Sequence, residues 1–240
     1  MYSVTFRNIA ELSYAANEAL NTLCTNLTFA GDEYKKIMFT SCNGGDGKSF
    51  TSLNVAKTLA GMGKRVVLVD CDLRKSMIAK NNLILGEGPG YGSSHYLAGM
   101  ASIEEVLYST NIRNLFIVPC SKTVTNSIPL VSSPRLTKLL DALASRVDYV
   151  IVDSPPVGLL IDAARIAGNC DGTVLVVKYN AESRREVAEA KEQIEQSGCP
   201  VLGAVINQAD FNDFVGRKYY YNKYYNRYYD SQHIQADDNK

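Results

Sequence analysis

Ser41-Cys42-Asn43-Gly44-Gly45-Asp46-Gly47-Lys48-Ser49 decides how the rest of the chain is read. The short apolar run Ile37-Met38-Phe39 precedes it, and a helical pattern from about Phe50 to Leu59 follows. Strand, glycine-rich loop, Lys-Ser and helix is the order in which backbone N–H groups and a helix N-terminus cradle phosphate. In that arrangement Lys48 reaches the β- and γ-phosphates of a nucleotide, and the Ser49 hydroxyl reaches Mg²⁺. Cys42 stands where the first glycine of the pattern sits.

Downstream, two apolar runs end in aspartate. Arg65-Val-Val-Leu-Val-Asp70-Cys-Asp72-Leu-Arg74 and Tyr149-Val-Ile-Val-Asp153-Ser-Pro-Pro156 lack polar alternation. They read as strands buried on both faces, as in a parallel sheet. Their carboxylates fall at strand C-termini, where open α/β sheets bind ligands. Mg²⁺ takes oxygen ligands and keeps several waters, so a serine, phosphate oxygens and one or two carboxylates suffice. The alternative reading of a single such aspartate is a helix cap; two strand-terminal acid sites beside a phosphate loop argue against it.

The remaining elements alternate. Asn8 caps a helix expected over 8–29, with Glu11 at its third position. Strands are expected at about Lys36–Thr40, Leu115–Val118, Thr173–Val177 and Val201–Ile206. Helices are expected after Ser102, after Ser133-Pro134, around Asp162–Ala167 and from about Glu182 to Gln196, with residues 75–100 loop-like. Strands alternating with helices predict an α/β fold, a doubly wound, mostly parallel sheet flanked by helices. One domain is expected over 1–210, followed by a tail at 211–240. Seven tyrosines (Tyr219, Tyr220, Tyr221, Tyr224, Tyr225, Tyr228 and Tyr229) are interleaved with Asn222, Lys223, Asn226 and Arg227. No period leaves an apolar face there, which predicts a solvated, flexible segment.

Composition excludes several classes. A formal charge of +0 in 240 residues gives no reason to invoke nucleic acid as a bulk electrostatic partner. Six cysteines without C-x-x-C, and only His95 and His233, support neither a zinc site nor a disulfide framework, and favour a reducing compartment. No apolar run approaches the roughly 18–20 residues of a membrane span, and no signal peptide is expected. Membrane association is expected only through a partner.

These segments together resemble the bacterial tyrosine kinases. Gly45-Asp46-Gly47-Lys48-Ser49, Val-Leu-Val-Asp70-Cys-Asp72-Leu-Arg74 and Val-Ile-Val-Asp153-Ser154-Pro155-Pro156 look like that family's Walker A, A′ and B motifs. The tyrosine cluster, the stretch 90–99 and the stretch 156–167 also resemble family segments, so the likeness covers roughly 8–230. It implies a P-loop fold and an ATP- and Mg²⁺-dependent protein-tyrosine kinase that phosphorylates its own C-terminal tyrosines, between subunits. The implied setting is control of capsular or extracellular polysaccharide synthesis and export, in the cytoplasm at the inner face of the membrane. The implied partner is a membrane protein with a cytoplasmic activating segment.

By that resemblance Gly44, Gly45, Asp46, Gly47, Lys48, Ser49 and Phe50 bind nucleotide. Ser49, Asp72 and Asp153 hold the metal, and Asp70 orients or deprotonates the incoming tyrosine. The family's N-terminal E-x-x-R-x-x-R reads here as Glu18, Asn21 and Cys24, which puts a charge-paired ring contact in doubt. Two rivals stand beside this reading. One is a catalytically weak ATP-binding scaffold of an export complex. The other is a partitioning-type P-loop ATPase, against which Asn43 replaces the signature lysine.

Overall fold

The computed structural model of the chain describes residues 2–7, 9, 11–86, 88–158 and 161–209; the tyrosine cluster and the expected cap Asn8 lie outside them. Among the described residues the strands are β1 (Tyr2–Phe6), β2 (Lys36–Ser41), β3 (Val66–Asp70), β4 (Leu83–Leu85), β5 (Tyr108–Thr110), β6 (Leu115–Val118), β7 (Tyr149–Asp153), β8 (Gly172–Lys178) and β9 (Val201–Asn207). The helices are α1 (Tyr14–Phe29), α2 (Lys48–Gly61), α3 (Ile78–Asn82), α4 (Ser93–Leu97), α5 (Ile103–Val106), α6 (Ile128–Val131), α7 (Pro134–Ala144), α8 (Ile161–Ala167) and α9 (Arg184–Glu195). One sheet runs β4-β1-β5-β6-β3-β7-β2-β8-β9. Its pairs are parallel except β1–β4 and β5–β6.

Uninterrupted apolar runs make the central strands because both faces of the sheet are covered. Period-2 alternation then divides each strand between two cores. Val67, Val69, Val150 and Val152 face Leu136, Leu139, Leu140, Ile166 and Ile194. Val66, Leu68, Ile37, Phe39 and Ile151 face Cys24, Leu27, Leu53 and Leu59 beneath α1 and α2. Just past the end of α2, Gly63 adopts a φ of 86°, which favours glycine and turns the chain so that the Lys64 N–H reaches the Leu59 carbonyl at 3.1 Å. Helix α9 opens with a capping box: Ser183 accepts from the Glu186 amide and Glu186 from the Ser183 amide.

Two expectations are corrected. The first helix begins at Tyr14 rather than residue 8, because Ser13 supplies the cap, its Oγ accepting from the Ala16 amide at 3.3 Å. The stretch 75–100 holds α3, β4 and α4 rather than a loop throughout. Strand β4 pairs antiparallel with β1, whose Val4 and Phe6 point inward. Short elements of this kind take their stability from the neighbouring strand, which local sequence does not display.

The density of the α7 side makes a direct prediction. Leu139 is fully buried. Leu139→Ala should lower unfolding free energy by roughly 2–5 kcal/mol in urea titration, with the native far-UV circular dichroism spectrum retained.

Candidate functional site

The strand order gathers the site. Strand β7 lies between β2 and β3, so the chain crosses over it when α2 joins those two strands. Asp153 at the end of β7 is in register with Asp70 on β3 and with Phe39 on β2. The loop after β2 and the acidic turn after β3 therefore flank Asp153 from its two sides. This is the crevice at strand C-termini that α/β sheets use for ligands.

The glycine-rich loop is held from within. Asp46 is buried, and its carboxylate accepts the Asn43 amide at 2.8 Å. Ser41 Oγ donates to the Asn43 carbonyl at 2.7 Å. Gly45 and Gly47 adopt φ of 97° and 90°, in the left-handed region that glycine tolerates. From β9, Asn207 donates to the Asp46 carbonyl at 2.8 Å and Gln208 to the Gly45 carbonyl at 3.4 Å. A Cβ on Gly47 would lie 2.0 Å from the Asn207 amide nitrogen. These two amides have no signature in the sequence; only the β8–β9 pairing brings them to the loop.

Lys48, first residue of α2, points into the acidic turn. Its Nζ donates to Asp72 Oδ2 at 2.8 Å and to Ser49 Oγ at 3.1 Å, and stands 3.8 Å from Asp153 Oδ2. Burial works to lower the lysine's pKa, but the charges of Asp153, Asp72 and Asp70 outweigh it and hold the ammonium above its ordinary range. Asp153 is fully buried, and neither carboxylate oxygen has a hydrogen-bond partner. Burial pushes its pKa up and Lys48 pulls it down. The buried carboxylate oxygens of Asp153, with Asp72 and Ser49 beside them, are the kind of oxygen donor that a hard divalent cation takes.

Asp70 is more enclosed. Ser76 Oγ donates to Asp70 Oδ2 at 2.5 Å, the Asp72 amide donates to Oδ1 at 3.1 Å, and Ser93 Oγ donates to the Asp70 carbonyl at 2.7 Å. Burial, then the Asp153 charge, push its pKa to about 7, against the Ser76 hydroxyl and Lys48. Of the remaining expected residues, Gly44 and Gly45 are exposed at the loop tip, and Phe50 is half-exposed on the first turn of α2. Cys42 is buried, and burial followed by the charges of Glu182, Asp46 and Glu186 pushes its thiol up to about 11.

Asp162, for which the sequence offers no role, anchors Arg74 of the D-x-D-x-R stretch. Arg74 Nε donates to Asp162 Oδ2 at 2.6 Å, Ser127 Oγ donates to the same oxygen at 2.9 Å, and Arg74 Nη1 donates to the Thr125 carbonyl at 3.1 Å. The turn bearing Asp72 is thereby tied to α8.

Comparison with known proteins bears on this geometry. Residues 34–196 match the AAA domain family. The chain is 38% identical over 193 residues to tyrosine-protein kinase CpsD of Streptococcus agalactiae, covering 80% of this chain and 83% of that one. It is 36% identical to CpsD of Streptococcus pneumoniae serotype 4, covering 82% and 86%. The chain belongs to the bacterial tyrosine kinase family. Against tyrosine-protein kinase wzc of Salmonella typhi it is 31% identical, over 80% of this chain and 27% of that longer protein. The kinase domain of the Escherichia coli tyrosine kinase ETK superposes with a TM-score of 0.74 at 28% identity, covering 81% and 78%. The septum site-determining protein MinD of Pyrococcus horikoshii, solved with Mg-ADP, shares the fold at a TM-score of 0.60 and 22% identity, covering 75% and 72%. The bacterial tyrosine kinase fold is a P-loop nucleotide-binding fold.

Two predictions come from these contacts. Asp162→Ala leaves a partly buried guanidinium without its partner and should cost about 1–3 kcal/mol in chemical denaturation, whereas Asp162→Asn, which keeps an acceptor for Ser127, should cost less. The second concerns Asp70. Its folded pKa lies above its ordinary value of 3.8, so the folded state holds the proton where the unfolded chain releases it. Stability owed to this group therefore falls as pH rises from about 4 to about 7 and is flat above that. Asp70→Asn should gain in melting temperature over the native chain across that window; a difference independent of pH would refute the assignment.

Proposed function

We propose that this chain is an ATP-dependent protein-tyrosine kinase that phosphorylates the tyrosine cluster 219–229 of a second copy. The observation that carries the reading is the convergence of Lys48, Asp70, Asp72 and Asp153 in one buried cluster at the mouth of a glycine-rich loop. The kinship with tyrosine-protein kinases supports it.

Each residue takes a part that its surroundings suit. Amides of the loop from Gly44 to Gly47 bind phosphate oxygens, and the ammonium of Lys48 neutralises the β- and γ-phosphates. Ser49, Asp72 and Asp153 would hold Mg²⁺, which when bound supplies charge neutralisation across the phosphates. Phe50, half-exposed on the first turn of α2, would border the nucleotide. Asp70 accepts the tyrosine proton as the new phosphorus–oxygen bond forms and the bond to the β-phosphate breaks. A carboxylate with a pKa near 7 is matched to that task at neutral pH. Such chemistry is mostly positioning and charge stabilisation, which a rigid strand-end cluster provides.

The setting is control of capsular or extracellular polysaccharide synthesis and export, in the cytoplasm, with a membrane protein's cytoplasmic segment as activator. Among the described residues no helix is long and apolar enough to cross a membrane. One feature separates the subunit contact from the arginine-paired form. Cys24 is fully buried, its thiol 3.8 Å from the Val55 carbonyl, so this position on α1 faces α2 instead of solvent. Oligomers of this chain would therefore use contacts other than paired arginines at positions 21 and 24.

Incubation with Mg²⁺ and γ-labelled ATP tests the reading. Label stable to alkali should appear on the 219–229 peptide and vanish when the seven tyrosines are changed to phenylalanine. ATP binding without any tyrosine-bound label, even with the activating segment present, would favour the ATP-binding scaffold.

A further inference from the structure

The end of the sheet opposite the crevice gathers cations that the site does not use. Strand β6 runs parallel to β3 and antiparallel to β5, and β5 runs parallel to β1. Strand β1 therefore ends where β6 and β3 begin. The Asn111 side chain closes this end: the Phe6 amide donates to its Oδ1 at 2.9 Å, and its Nδ2 donates to the Phe6 carbonyl at 3.3 Å. Arg7 thus sits beside the turn between β5 and β6, which carries Arg113. In that turn the Asn114 carbonyl accepts the Val66 amide at 2.9 Å, which brings Lys64 and Arg65 next to Arg113. Neighbouring strands lie about 4.8 Å apart, so the three strand steps from Arg7 to Arg65 span about 15 Å.

These four cations are unlike others in the fold. Arg7, Lys64, Arg65 and Arg113 are all exposed, and none has an ion pair or a side-chain hydrogen bond among the described residues. Lys36, at the start of β2, is by contrast taken up by Asp141 at 2.8 Å and Asp171 at 3.5 Å. Two large apolar side chains are exposed at the same end. Met62, 44% exposed, follows α2 and stands two residues before Lys64; Phe29, 83% exposed, is the last residue of α1, from which the chain turns to the start of β2.

We propose that this end of the molecule lies directly against a bilayer of anionic phospholipid. Unpaired guanidinium and ammonium groups keep their charge for an outside partner, and Lys and Arg beside a bilayer are drawn to anionic headgroups. Exposed Phe and Met at the rim of such a patch gain by entering the boundary between headgroups and acyl chains. The formal charge of the whole chain is +0, so the attraction comes from asymmetry and acts within a Debye length of about 8–10 Å. The exposed acids at this end, Asp32, Glu33 and Asp148, lie toward β2 and β7, and the Asp148 carboxylate is occupied by the Arg65 amide at 2.7 Å. Positive charge is therefore concentrated over β1, β6 and β3. A soluble polyanion would satisfy the cations but leave Met62 and Phe29 in water, which favours the bilayer. The strand C-termini then point away from the lipid, and the crevice stays open to solvent.

Sedimentation of the full-length chain, without nucleotide, with vesicles of phosphatidylcholine alone or mixed with phosphatidylglycerol tests the docking. The mixed vesicles should bind roughly tenfold more tightly than the neutral ones. Arg7→Glu, Lys64→Glu and Arg113→Glu together should remove that advantage, with the native far-UV circular dichroism spectrum retained. Arg184→Glu, Arg185→Glu and Lys191→Glu on α9 make the same change in total charge and should alter binding by less than about twofold. Phe29→Ser with Met62→Ser should weaken binding to the mixed vesicles about threefold or more. Equal binding to both kinds of vesicle, or an equal loss in the α9 variant, would overturn the proposal. Displacement by soluble polyglutamate, with binding indifferent to Phe29→Ser and Met62→Ser, would assign the patch to an acidic polypeptide and overturn the lipid assignment. No step uses ATP, so these outcomes stand apart from phosphoryl transfer. A chain that binds anionic vesicles as described but never labels 219–229 would sink the kinase reading alone.

Discussion

Three carboxylates and one ammonium share a buried recess at the ends of β3 and β7, and the arrangement of the surrounding fold answers to their electrostatics. Withdrawing a carboxylate from water costs several kcal/mol unless a counter-charge or hydrogen bonds replace the solvent. Lys48 supplies the counter-charge to Asp72 and stands near Asp153; Ser76 and a backbone amide supply the hydrogen bonds to Asp70. The oxygens of Asp153 go without hydrogen bonds. A chain selected for stability alone would do better with apolar residues here, since replacing buried ion pairs by well-packed hydrophobic groups is often neutral or stabilising. The cost is intelligible as a binding site for a cation and a phosphate chain.

The rest of the architecture holds that recess in place. Parallel pairing on both sides of β7 puts Asp153 level with Asp70. Helix α2 begins at Lys48 because the loop before it is pinned by Asp46 inside and by Asn207 and Gln208 from β9. The Arg74–Asp162 pair ties the turn carrying Asp72 to α8.

Much of this was legible in the residues. Unbroken apolar runs such as Val66–Val69 and Val150–Val152 announce strands buried on both faces, and a glycine-rich loop between strand and helix announces phosphate. What escaped reading depends on long-range contact. Strand β1 is five residues long and is completed by β4 and β5, far away in sequence. Asn8 offered a plausible cap, yet Ser13 carries it, because caps compete locally and packing of α1 on α2 chooses among them. Asp162, Ser76, Asn207 and Gln208 are unremarkable letters whose roles come from the partners the sheet brings to them.

In the proposed reaction the loop lysine of one chain drives transfer to the tyrosines of another. Intact-mass spectrometry of a two-chain mixture tests it most directly, with Lys48→Met as acceptor and a chain bearing phenylalanine at all seven tyrosines as donor. Neither should gain mass alone with Mg²⁺-ATP; together, the Lys48→Met chain should gain successive increments of about 80 daltons, one per phosphoryl group. Phosphate on Lys48→Met alone, or none in the mixture while the native chain phosphorylates itself, would contradict the account.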